Sequence, residues 1–131
     1  MTQIALQHPQ AIFHPEAVCP RGWHAVSAVH ARTLGDCLVD LADAITAPHV
    51  LPETEIENFG ACLADARADG MDVQYRLIWQ PDSNRWALTL RVLAAGNRFD
   101  AARATMTLTY AQFDVIDSVL RAAGVAEVRN A

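Results

Sequence analysis

Residues 73–92 read VQYRLIWQPDSNRWALTLRV, and the fold follows from how this stretch is read. Two runs of alternating apolar and polar residues flank Pro81, Asp82, Ser83 and Asn84, residue types that favour a turn. A four-residue loop there sets Gln80 opposite Arg85. The ladder then pairs Trp79 with Trp86, Leu77 with Leu88, Tyr75 with Leu90 and Val73 with Val92. Side chains alternate across a strand, so these apolar residues share one face. Gln74, Arg76, Ile78, Gln80, Arg85, Ala87, Thr89, Arg91 and Leu93 share the other. The pattern predicts an antiparallel sheet packed on one side and mostly wet on the other.

Working outward toward the C-terminus, Gly96-Asn97 reads as a turn. Met106, Leu108 and Tyr110 then alternate with Thr105, Thr107 and Thr109, which predicts a strand over 104–110. Thr109 and Gln112 have the spacing of a capping box for a helix over about 110–123. Its apolar side would carry Phe113, Ile116, Leu120 and Ala123, with Gly124 as a left-handed terminator.

Toward the N-terminus, Ile56, Phe59, Leu63 and Ala66 recur at helical spacing and predict a helix over about 52–69, ended by Gly70. Leu34, Cys37, Leu38, Leu41 and Ile45 predict another over about 34–47, opened by Thr33 and Asp36 and stopped by Pro48. Trp23, Ala25, Ser27 and Val29 alternate and read as a strand over 23–31. The first 22 residues carry His8-Pro9, His14-Pro15 and Cys19-Pro20, which favour an extended, turning segment with room for a short edge strand. The order β-α-α-β-β-β-α describes a two-layer α+β fold. A three- to four-stranded antiparallel sheet packs against three helices in a single domain over 1–131.

Composition narrows the function classes. The chain has 131 residues, 52% hydrophobic and 19% charged, which suits one folded core. No apolar run approaches the roughly 18 residues that span a bilayer. The start MTQIALQHPQ has neither a basic n-region nor an apolar h-region, so the expected location is cytoplasmic. Every one of the ten positive charges is arginine, which excludes a Schiff-base lysine, a Walker A lysine and a lysine general base. Arginine without lysine in an alanine-rich chain suggests a GC-rich bacterial or phage genome. Cys19, Cys37 and Cys62 form no CxxC pair, so free thiols are expected.

Charge is distributed unevenly. Between Thr33 and Gly70, the acids Asp36, Asp40, Asp43, Glu53, Glu55, Glu57, Asp65 and Asp69 meet one base, Arg67. Between Val73 and Tyr110 the balance reverses, with Arg76, Arg85, Arg91, Arg98 and Arg103 against Asp82 and Asp100. Asp36, Asp40 and Asp43 fall at i, i+4 and i+7, opposite the leucines of their helix. The plainer reading is a solvated helix face. The functional one is a partner-binding surface, Asp36, Asp40, Asp43, Glu53, Glu55 and Glu57, that meets a basic surface on another protein. Arg76 and Arg91, on adjacent strands of the wet face, form a candidate anion-binding site.

Other chemistry finds less support. His14, Cys19 and His24, with His8, Glu16 and His30 nearby, hold ligand-type side chains at a spacing that fits no zinc module. Neither a metal nor a cofactor is expected. No GxSxG, HExxH or GxGxxG occurs, so no catalytic residue is assigned and the chain is not expected to be an enzyme. A net charge of −5 argues against direct nucleic-acid binding. The expected function is binding of another protein, as an inhibitor or an immunity or anti-defence antagonist acting through the acidic helices. One alternative is a ligand-binding or catalytic homodimer using the arginine face, and another is a structural homodimerisation module.

Overall fold

The computed structural model describes residues 11–14, 25–46, 50–94 and 101–128. In chain order these form β1 (Ala11–His14), α1 (Ala25–Ala44), α2 (Glu53–Ala68), β2 (Met71–Gln80), β3 (Arg85–Ala94), β4 (Ala101–Leu108), α3 (Tyr110–Ala122) and β5 (Ala126–Glu127). The strands make one sheet in the order β1-β4-β3-β2-β5. All neighbours are antiparallel except β2 and β5, which run parallel, with α3 leading from β4 into β5. The architecture is α+β, with three helices on one face of the sheet. No helix among the described residues is long and apolar enough to cross a membrane.

The hairpin has the register its alternation predicts, from Met71 opposite Ala94 to Gln80 opposite Arg85, with Trp79 opposite Trp86. Its helix-facing side is buried at Met71, Val73 and Tyr75 on β2 and at Leu88, Leu90 and Val92 on β3. Ala102, Ala104, Met106 and Leu108 continue that surface on β4. Burial fails toward the hairpin tip, where Leu77 is half-buried and Trp79 is 41% exposed. The expectation that Trp79 is buried against a helix is therefore corrected. Phe113 of α3 stacks on Trp86, with ring centroids 4.1 Å apart and planes 8° apart, while Trp79 meets only the edge of this pair, tilted 59° from Trp86. On the other face, Leu93 and Ala101 pair across β3 and β4 and are also buried, so that end is not wet.

The predicted strand over 23–31 is instead helical from Ala25 onward. Its alternation of small residues also fits a helical period. Ser27, Ala31, Leu34, Leu38, Leu41 and Ala42 form one stripe with no more than 2% exposure, and burial of that stripe decides the outcome. Thr33 consequently lies inside the helix. Its Oγ1 donates to the carbonyl of Val29, four residues back, instead of capping a terminus. The helix ends at Ala44, three residues before the predicted boundary at 47. The first strand of the predicted order is supplied by β1, paired with β4. The predicted strand over 104–110 is displaced to Ala101–Leu108, because Tyr110 already belongs to α3. The Gly96-Asn97 turn lies outside the described residues.

The helix termini follow their sequence signals. Gly70 and Gly124 have φ values of 81° and 75°, a region a side chain rarely adopts, and they terminate α2 and α3. Thr109 and Gln112 form the reciprocal capping box, worth about 1 kcal/mol as a cap. Gln112 does more than cap. Its Oε1 accepts from the Thr109 N–H at 2.9 Å and its Nε2 donates to the Ala42 carbonyl at 3.1 Å, tying the start of α3 to the end of α1.

Candidate functional site

Three adjacent strands aim polar side chains outward on the face without helices. Arg76 on β2 lies opposite Thr89 on β3, Gln74 opposite Arg91, and Arg91 opposite Arg103 on β4. Cross-strand partners share a face, so these residues surround a shallow depression of about 220 Å³, lined by Gln74, Tyr75, Arg76, Thr89, Arg91, Arg103 and Val128. Arg76 and Arg91 are half-buried and Arg103 is exposed. Val128 forms one wall, held there by its N–H donating to the Tyr75 carbonyl at 2.8 Å. Planar guanidinium groups with a threonine hydroxyl beside them suit a phosphate or carboxylate.

The structure thus brings the predicted pair Arg76 and Arg91 to one depression and adds Arg103. Sequence reasoning noted Arg103 only as part of a basic stretch. Its place in the site follows from the β3–β4 register, which the sequence between 95 and 100 does not reveal.

The acidic residues are less unified. Asp36, Asp40 and Asp43 are exposed along α1, as their spacing predicts. Asp36 and Asp40 lie close enough to Cys37 to contribute to raising its thiol pKa. At the start of α2, Glu53 in the first turn and Glu57 in the next are exposed and share a side at i and i+4. Glu55 turns away and is half-buried. The six acids therefore do not form one continuous stripe.

Other clusters were not singled out from sequence. Tyr75 is buried in the core and its hydroxyl donates to Asp117 Oδ1 at 2.8 Å. Arg121 donates from Nε to Asp117 Oδ2 and from Nη2 to Glu127 Oε1, each at 3.0 Å. Burial first, and then the bond to Asp117, raises the Tyr75 phenol pKa above its ordinary value. The chain joins β2, α3 and β5, and the i, i+4 spacing of Asp117 and Arg121 was its only visible sign. Arg67 on α2 donates to the carbonyls of Ala123 and Gly124, binding α2 to the C-terminal end of α3.

A second depression, about 640 Å³ and mainly apolar, opens between α2 and α3 against Leu51, Ile56, Phe59, Val115 and Val119. His30 meets Asp69 at 2.6 Å, joining α1 to the end of α2. Of the histidine and cysteine set near the N-terminus, His8, Glu16, Cys19 and His24 lie outside the described residues.

No family model matches the chain, and neither does any curated protein or solved structure.

Proposed function

We propose that the protein is a binding module whose open sheet face receives an anionic group. The observation that carries this reading is the convergence of Arg76, Arg91 and Arg103 from three adjacent strands on one depression. At about 220 Å³ the depression is smaller than the roughly 300–1,000 Å³ that hold drug-sized ligands. It suits a small anion, or one phosphate or carboxylate of a larger molecule. Titration with inorganic phosphate and, separately, with citrate, followed by amide chemical shifts, tests the reading. Shifts should centre on Gln74, Arg76, Thr89, Arg91 and Arg103. Arg91→Gln should weaken binding about 10-fold or more, because a hydrogen bond to a charged group contributes about 1.5–3 kcal/mol. Binding unaffected by Arg91→Gln, or no shift with either anion, would remove the site.

A second reading keeps the protein a cytoplasmic antagonist, of bacterial or phage origin, that occludes a basic surface on a partner protein. It is favoured by the exposure of Asp36, Asp40 and Asp43 on α1 together with Val29, 61% exposed and one helical repeat before Asp36. A structural homodimer built on the open sheet face has least support, since that face carries Gln74, Arg76, Arg91 and Arg103 where a dimer core wants apolar side chains.

A further inference from the structure

We propose that Cys37 and Cys62 form a modification site, a dithiol that a neutral peroxide oxidises to an intramolecular disulfide joining α1 to α2. The two residues lie 25 positions apart in sequence on different helices, yet their Sγ atoms approach to 3.0 Å. A disulfide bond measures about 2.05 Å, so closing it requires a movement of about 1 Å. Both residues are half-buried, and the contact between them is only partly enclosed.

Oxidation takes two steps. Burial, and then the adjoining Cys62 thiol, push Cys37 up to about 12, which favours its protonated form. One sulfur of the pair, as its thiolate, attacks one peroxide oxygen, the O–O bond breaks, and the departing hydroxide takes a proton and leaves as water. That residue is then a sulfenic acid. The other sulfur, 3.0 Å away, attacks it as its own proton passes to the departing oxygen. The S–S bond forms, the S–O bond breaks, and a second water leaves. Two thiols are oxidised by two electrons and one peroxide is reduced to two waters. Asp36 and Asp40 lie near Cys37 and disfavour an anionic oxidant such as glutathione disulfide, which is why the neutral peroxide is the matching reagent.

The test uses the wild-type full-length chain treated with hydrogen peroxide and analysed without reduction. The intact mass should fall by two hydrogens, and proteolytic peptides containing Cys37 and Cys62 should be recovered linked. The melting temperature should rise on the order of 10 °C and return on adding dithiothreitol. Cys37→Ser and Cys62→Ser should each abolish the link, and Cys19→Ser should leave it. Glutathione disulfide at equal concentration should form the link more slowly than hydrogen peroxide. A wild-type chain that gains oxygen at Cys37 or Cys62 without linking them, or that links through Cys19, would overturn the proposal without reliance on any variant folding.

Discussion

Trp86 supplies the most discriminating perturbation, because one side chain carries two opposed contributions. It stacks face to face on Phe113 at 4.1 Å, and its Nε1 is buried with no hydrogen-bond partner among the described residues. Replacing a core tryptophan by alanine costs about 3–5 kcal/mol, and a half-buried one belongs near the lower end. Loss of the aromatic pair adds about 0.5–1.5 kcal/mol. The unsatisfied N–H now costs the folded state about 1–3 kcal/mol, and the substitution returns that amount. Trp86→Ala should therefore lose about 2 kcal/mol within a span of about 0.5–3.5 kcal/mol, a fall on the order of 7 °C in melting temperature for a chain of this length. Trp86→Phe keeps a ring on Phe113 and deletes the orphaned N–H along with part of the buried surface. The two effects nearly cancel, and the variant should lie within about 1 kcal/mol of the parent. Thermal and urea denaturation followed by circular dichroism would measure both. A Trp86→Phe variant as unstable as Trp86→Ala would show that Nε1 has a partner after all. A Trp86→Ala variant that melts with the parent would show that the hairpin tip contributes nothing to the core.

Stability should decline in alkali. The Cys37 thiol is raised from 9.0 to about 12, so its contribution is fully present below pH 9.0 and is lost as pH rises toward about 12. Tyr75, raised from 10.0 by burial and by Asp117, acts in the same direction at higher pH, and Tyr75→Phe should flatten that part of the curve. Urea midpoints that stay constant above pH 9.0 would contradict both assignments. Reversing Asp36, Asp40 and Asp43 to arginine should leave the fold intact, because all three are exposed. If the antagonist reading holds, affinity for the partner should fall sharply, and more so at low salt, where the lost attraction is least screened. Calorimetry with the folded triple variant decides the matter, and unchanged affinity would exclude the acidic face.

The parts of the fold that could be read in the sequence are those fixed by near neighbours. Val73 to Val92 contains both strands and their turn, so its register is written locally, as are the Thr109–Gln112 cap and the Gly70 and Gly124 termini. What could not be read depends on distant surfaces. Ser27, Val29 and Ala31 fit a strand or a helix equally well, and only the burial of Ser27 and Ala31 beside Leu34 decides. The two residues of β5 are too few to carry a pattern and owe their place to α3. The candidate site divides along the same line. Arg76 and Arg91 lie in one hairpin and were found together, Arg103 required the register of β4, and the contact between Cys37 and Cys62 left no trace in spacing.

The pairing of β1 with β4 sets a constraint on the order of assembly. Ala11 lies opposite Met106 and His14 opposite Arg103. During synthesis, β1 leaves the ribosome long before the strand it must join. The intervening chain carries the β2–β3 hairpin, which β4 extends through contacts that are short-range and quick to form. Closing so long a loop carries an entropic cost that only a finished β4 edge can offset. Vectorial folding is therefore expected to proceed from the middle of the chain outward, with the N-terminal strand added late to a sheet that already exists.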